Sequence, residues 1–196
     1  MVRVTVSGPH DTANAPSGRT RVAVDPGRLM LWPSFTGHDL ALAILFGLGL
    51  RAVAILLESL TNGGFALPGL VLFDDTLSLD QVLWAVAIPI FVAPWLEEWI
   101  FRGVLQPLAV RVLRVVGVSH GVATAGAVIL VAAAFALGHV LLAPGAWPLT
   151  TSAALLMVGL TCGGLVVLTG RLGTAIGVHF VFNLSGVALL LGGTFR

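Results

Sequence analysis

Few residues in the second half of the chain can do chemistry, and they are regularly spaced. After Asp80 the only acids are Glu97 and Glu98, and the only histidines are His120, His139 and His179. Glu98 precedes Arg102 by four positions, which stacks the two on one helical face in the favourable order for an ion pair. Glu97 sits about 100° around the same helix. The pairing neutralises Glu98 and leaves Glu97 as a free carboxylate, the kind of group that serves as a general base. His139 closes the run Phe135-Ala136-Leu137-Gly138-His139, with the phenyl and imidazole four residues apart on one face. His179 and Asn183 are again four apart, among Phe180, Val181, Phe182 and Leu184. Each group has a plain explanation when taken alone. Glutamates suit the start of a helix, where the macrodipole favours them; a helix-end histidine suits an interface; polar side chains in greasy helices bond to neighbouring helices. Together they supply a base, an orienting ring, and donors for a developing negative charge.

The elements that hold these residues are apolar. Of 196 residues, 57% are hydrophobic and 10% charged, with mean hydropathy +1.02. A soluble domain has about 45–50% apolar and about 25% charged residues, so a disordered chain is excluded and a polytopic membrane protein is expected. All ten basic residues are arginine against nine acids, giving net charge +1 and no clustered positive charge for nucleic acid. Cys162 is the lone cysteine, so neither an internal disulfide nor a CxxC metal site is possible within the chain.

Residues 1–36 carry Pro9, Pro16, Pro26, Pro33, Arg3, Arg19, Arg21 and Arg28 and read as a basic, weakly ordered tail, with 37–196 the helical membrane domain. The expected class is all-α, a transmembrane helix bundle of about six spans. The first runs from about 39 to 60 and carries Arg51 and Glu58, seven apart on one face. The second runs from 79 and stops at Pro94, which removes a backbone donor and clashes with the preceding turn. The third restarts at Glu97 and reaches about 116. The others cover about 119–142, 150–169 and 172–193, the last two holding Gly159 with Gly163 and Gly173 with Gly177, small residues that let helices approach closely.

A charge at mid-bilayer costs about 2.5–3.5 kcal/mol on the insertion scale, so each one within a span marks a candidate site. If the third segment spans, Glu97 begins it and His139 ends its antiparallel neighbour, on the same side of the membrane. His179 and Asn183 then join them part-way down the last helix. The tail arginines favour a cytoplasmic amino terminus, and six spans then turn the polar end of the site toward the cytoplasm. That arrangement leaves Arg111, Arg114 and Arg171 outside, against the rule.

Glu97-Glu98-x-x-x-Arg102, Phe135-x-x-x-His139 and His179-x-x-x-Asn183, in order on successive apolar helices, resemble the CPBP family of CAAX proteases and bacteriocin-processing enzymes, also called Abi, which includes the Rce1-type prenyl-protein endopeptidases. The likeness runs from about Leu79 to Gly193, including Phe101-Arg102-Gly103. The resemblance implies a glutamate-dependent intramembrane endopeptidase with no cofactor. By analogy Glu97 and His139 activate a water, His179 and Asn183 stabilise the oxyanion, and Arg102 holds Glu98. The implied partners are a peptide or protein substrate, lipidated in some relatives, and the bilayer.

Two rival readings use the same residues. A zinc-dependent protease would bind its metal through Glu97, His139 and His179, although no HExxH helix is present. A non-catalytic transporter or immunity protein would use the acids and histidines as a proton relay. A serine mechanism lacks its motif, since Ser185 lies in Asn183-Leu184-Ser185-Gly186. An aspartyl mechanism lacks its pair, since every aspartate precedes the third segment. The exclusive use of arginine over lysine, with abundant Ala, Gly and Val, points to a bacterial plasma membrane.

Overall fold

The computed structural model describes residues 34–62, 80, 84, 86–142 and 148–194. These form helices only. The tail expected over 1–36 lies outside the described residues, apart from its last three. Helix α1 is Gly37–Asn62. Its start carries one half of a capping box: Thr36 N–H and its hydroxyl donate to Asp39 Oδ2 at 2.6 and 2.8 Å, satisfying a donor at the helix start.

The second and third expected spans are one helix. The chain is helical without a break from residue 86 to 115, and we call residues 88–115 α2. Proline does not end it, because the helix widens instead. A π-helical segment, Ile88–Val92, lies just before Pro94, and a second, Trp99–Leu105, lies just before Pro107. In these segments Ala93 N–H donates to Ile88 O and Gln106 N–H to Phe101 O, five residues back. The extra residue per turn accommodates a ring that would clash with a regular α-turn. The count of about six spans is therefore approximate, since the described parts of the second and third expected spans are continuous.

Helix α2 ends in a Schellman turn: Gly117, at φ 90°, donates to Arg114 O at 3.1 Å and Val118 to Leu113 O at 3.0 Å. Helix α3 is His120–Leu142, α4 is Leu149–Thr169 and α5 is Leu172–Thr194. Gly170, at φ 66°, caps α4 and reverses the chain within two residues. Four of these helices, α1, α3, α4 and α5, are long and apolar enough to cross a membrane by length and composition. Helix α2 has the length too, about 42 Å at 1.5 Å per residue, but carries Glu97, Glu98, Arg102, Arg111 and Arg114.

Side-chain contacts fix the directions. Gly47 lies against Val178 and Val181, and Gly177 against Ala43, so α1 and α5 run parallel. Phe101 packs on Phe135 and Leu113 near Gly126, so α2 and α3 are antiparallel. Arg102 reaches Gly159 O and Gln106 reaches Gly163 O, so α2 and α4 are parallel. The near face of the bundle thus gathers the starts of α1, α3 and α5 with the ends of α2 and α4. The far face gathers the opposite ends.

At the near face Asp39, almost fully buried, accepts from Arg171 Nε at 3.0 Å and its terminal nitrogen at 2.9 Å, and from the Thr174 hydroxyl. This pins α1 to the α4–α5 turn. The shared core is Phe135, Val158, Cys162, Leu165, Val178 and Phe182 with their neighbours.

Candidate active site

The glycines of α4 explain how α2 can bury charge. A Cβ on Gly159 would stand 2.9 Å from Ala132 Cβ and 3.0 Å from its Cα, so only glycine lets α3 and α4 close up here. Their close approach leaves the Gly159 and Gly163 carbonyls facing α2, where Arg102 and Gln106 donate to them at 3.0 and 3.1 Å. Glu98, Arg102 and Gln106 form a polar row four residues apart, facing two glycines four residues apart. Arg102 also holds Glu98 Oε1 at 3.0 Å, and both side chains are fully buried. The expected Glu98–Arg102 pair is present. Gln106 was not anticipated, although its spacing extends the same row.

Behind Glu98 stands His179, whose Nδ1 lies 2.9 Å from the same Oε1. A carboxylate paired with arginine only accepts, so Nδ1 carries the hydrogen and Nε2 turns to Glu97. His139 is fixed the same way: its Nδ1 lies 2.9 Å from Phe135 O, a carbonyl that can only accept. Its Nε2 also turns to Glu97. Between the two rings lies Glu97, with Oε1 3.8 Å from His139 Nε2 and Oε2 3.7 Å from His179 Nε2. Phe135 is the floor. Its buried ring lies 4.5 Å from His139 at a tilt of 54°, meets His179 edge-on at 5.6 Å and lies 4.8 Å from the Arg102 guanidinium.

Exposure is graded across this cluster. Glu97 and His139 are 25% and 28% exposed, while His179 is 4% and Glu98 and Arg102 are 0%. Glu97 and His139 thus form the open edge of the cluster, and the ion pair supports it from behind.

Asn183 has a partner that spacing did not reveal. Its Nδ2 donates to Pro89 O at 2.8 Å. In the π segment that carbonyl awaits a donor five residues on, and the residue there is Pro94, which has none. Asn183 supplies it. One amide hydrogen is thereby committed and the second remains available.

The structure thus brings Glu97, Glu98, Arg102, His139 and His179 into one cluster and seats Asn183 one turn along α5 from His179. The donor types suit zinc, but among the described residues no group of three or more His, Cys, Asp or Glu side chains is placed to hold a metal ion. No curated protein and no solved structure matches the chain. The family described as type II CAAX prenyl endopeptidase Rce1-like matches residues 79–185. That range is more than half of the chain and includes every residue of the cluster. The chain belongs to the Rce1-like family of type II CAAX prenyl endopeptidases.

Proposed function

We propose that the protein is an intramembrane endopeptidase in which Glu97 and His139 activate a water to hydrolyse a peptide bond. The observation that carries this reading is the convergence of two imidazole Nε2 atoms on one carboxylate, at 3.8 and 3.7 Å, with each ring's other nitrogen already fixed. These separations are too long for direct hydrogen bonds and suit a bridging water. Such a water donates one hydrogen to Glu97 and the other to His139 Nε2, which leaves an oxygen lone pair aimed outward. As that oxygen attacks the scissile carbonyl, Glu97 takes the proton and later returns it to the leaving amine. The tetrahedral oxyanion is met by the second amide hydrogen of Asn183 and by His179, which donates through Nε2 when its ring carries a second proton. Glu98 and Arg102 do not touch the substrate; they hold His179 in its tautomer and orientation.

The substrate is a peptide or protein at the bilayer, and prenylation is the substrate feature that the family's description names. The second reading, a zinc protease, is favoured by one feature: Glu97 and the two Nε2 atoms are all acceptors facing one space. A detergent-purified preparation offered prenylated and plain peptides, as wild type and Glu97→Gln, each with and without a strong chelator, tests both. Cleavage by the wild type alone, indifferent to chelator, supports the glutamate mechanism. Loss with chelator and recovery with zinc would favour the metal. No cleavage of any peptide would favour a non-catalytic membrane role.

A further inference from the structure

A cavity of about 220 Å³ lies between α1, α4 and α5, apart from the catalytic cluster. None of Glu97, Glu98, Arg102, His139, His179 or Asn183 lines it. Its polar lining is Arg51 and Glu58 of α1 with Thr150 and Thr151 of α4. The two threonines belong to the first turn of α4, and Glu58 is four residues from the end of α1 at Asn62, so the cavity starts near the far ends of these helices. Phe182, midway along α5, closes its inner end, and Ala54, Ala154 and Leu155 make the rest of the lining apolar. A charge within a membrane span marks a candidate site whose partner has to be named. Arg51 and Glu58, seven apart on one face, are each other's obvious partners, yet the structure keeps them apart.

Arg51 is drawn to α5 instead. Its Nη2 donates to Phe182 O at 2.7 Å, its Nε reaches Ser185 Oγ at 3.4 Å, and its guanidinium lies 3.9 Å above the Phe182 ring. Gly186 makes this seat possible, because a Cβ there would collide with the guanidinium. Among the described residues no cation pairs with the Glu58 carboxylate, and no hydrogen bond is made by that carboxylate, by Arg51 Nη1 or by the hydroxyls of Thr150 and Thr151. The two charges still act on each other through space. A cation and an anion thus line one small cavity without touching, and the molecule that satisfies both carries an anion and a cation of its own. Pockets for drug-sized ligands run about 300–1,000 Å³, so this one has room for a single smaller molecule. A lipid headgroup is tethered at the bilayer surface by its chains, whereas the guanidinium lies level with Phe182 and Gly186, in the middle of α5. We infer that this cavity is a second binding site, for a free aliphatic α-amino acid, with its carboxylate on Arg51, its ammonium on Glu58 and its side chain against Ala54, Ala154 and Leu155. The threonine hydroxyls, each both donor and acceptor, complete the hydrogen bonds of either group. The inference does not rest on the endopeptidase reading.

Equilibrium binding of radiolabelled L-leucine to the detergent-purified full chain tests the site without reference to cleavage. The wild type is expected to bind leucine saturably and to gain thermal midpoint with it, as a ligand of the folded state requires. N-acetyl-leucine, which lacks the ammonium, and leucine amide, which lacks the carboxylate, should each compete at least about tenfold less well, the worth of a hydrogen bond to a charged group. Glu58→Gln should lose affinity for leucine to a similar extent and keep its fold, since Glu58 has no ion-pair partner to strand. Arg51→Gln should lose it too. Arg51 also ties α1 to α5, so if that variant does not fold, the three ligands on the wild type carry the test. Glu97→Gln should bind leucine as the wild type does, which separates this site from the catalytic cluster. Absence of saturable leucine binding, equal competition by either capped form, or loss of binding in Glu97→Gln overturns the inference.

Discussion

At the residue scale, the cluster divides into groups that meet water and groups that hold them. Glu97 and His139 are the partly exposed members, so removing either should cost rate and little stability. Glu97→Gln and His139→Ala are expected to lower cleavage by at least about 10²–10⁴-fold, the usual worth of a positioned base, with a thermal midpoint in detergent near that of wild type. Normal turnover in both variants would end this assignment of the base. Asn183 contributes a single hydrogen bond to Pro89 O at an exposed position, so its loss costs only about 0.5–1.5 kcal/mol. Asn183→Ala should therefore leave unfolding nearly unchanged while cleavage falls about 10²–10³-fold, as for loss of an oxyanion donor. A proton relay would tolerate this change, so unaltered function in Asn183→Ala would favour transport over hydrolysis.

At the element scale, α2 is shaped by its prolines and α4 by its glycines. The π segments let one helix pass two prolines without breaking, and the closeness of α3 and α4 at Gly159 presents carbonyls that complete the coordination of Arg102. A buried ion pair is weak evidence of net stabilisation, yet removing one partner strands the other. Arg102→Ala leaves Glu98 without its cation in a site with no solvent, and a loss of about 3–5 kcal/mol is expected. It should appear as poor recovery of folded protein from membranes and a much lower thermal midpoint. A variant as stable as wild type would mean that His179 alone neutralises Glu98.

At the scale of the whole molecule, α1 is tied to the bundle at its start and just past its middle. Asp39 with Arg171 and Thr174 secures its start, and Arg51, which donates to Phe182 O at 2.7 Å and lies over the Phe182 ring, secures its second half. The first tie is at the near face, whereas His139 lies three residues from the far end of α3. Asp39→Ala removes charge-assisted hydrogen bonds worth about 1.5–3 kcal/mol, a figure to be discounted because Arg171 is 28% exposed and can turn to water. A lower thermal midpoint with unchanged turnover per folded molecule is expected. A fall in turnover at unchanged midpoint would mean instead that the near-face tie governs the site.

Much of this was legible in the chain itself. Composition determined the membrane bundle, because only helices satisfy their own backbone in lipid. The four-residue spacings of Glu98 with Arg102, Phe135 with His139 and His179 with Asn183 determined which side chains share a face, because helical periodicity is local. The number of spans was not legible: proline's effect depends on whether neighbouring helices stabilise a widened turn and supply a donor such as Asn183 to the freed carbonyl. Nor could spacing show that one carboxylate oxygen, Glu98 Oε1, serves both Arg102 and His179, or that Asp39 meets Arg171 from 132 residues away. Those partners come from different helices, and only the packing of the bundle brings them within hydrogen-bond reach.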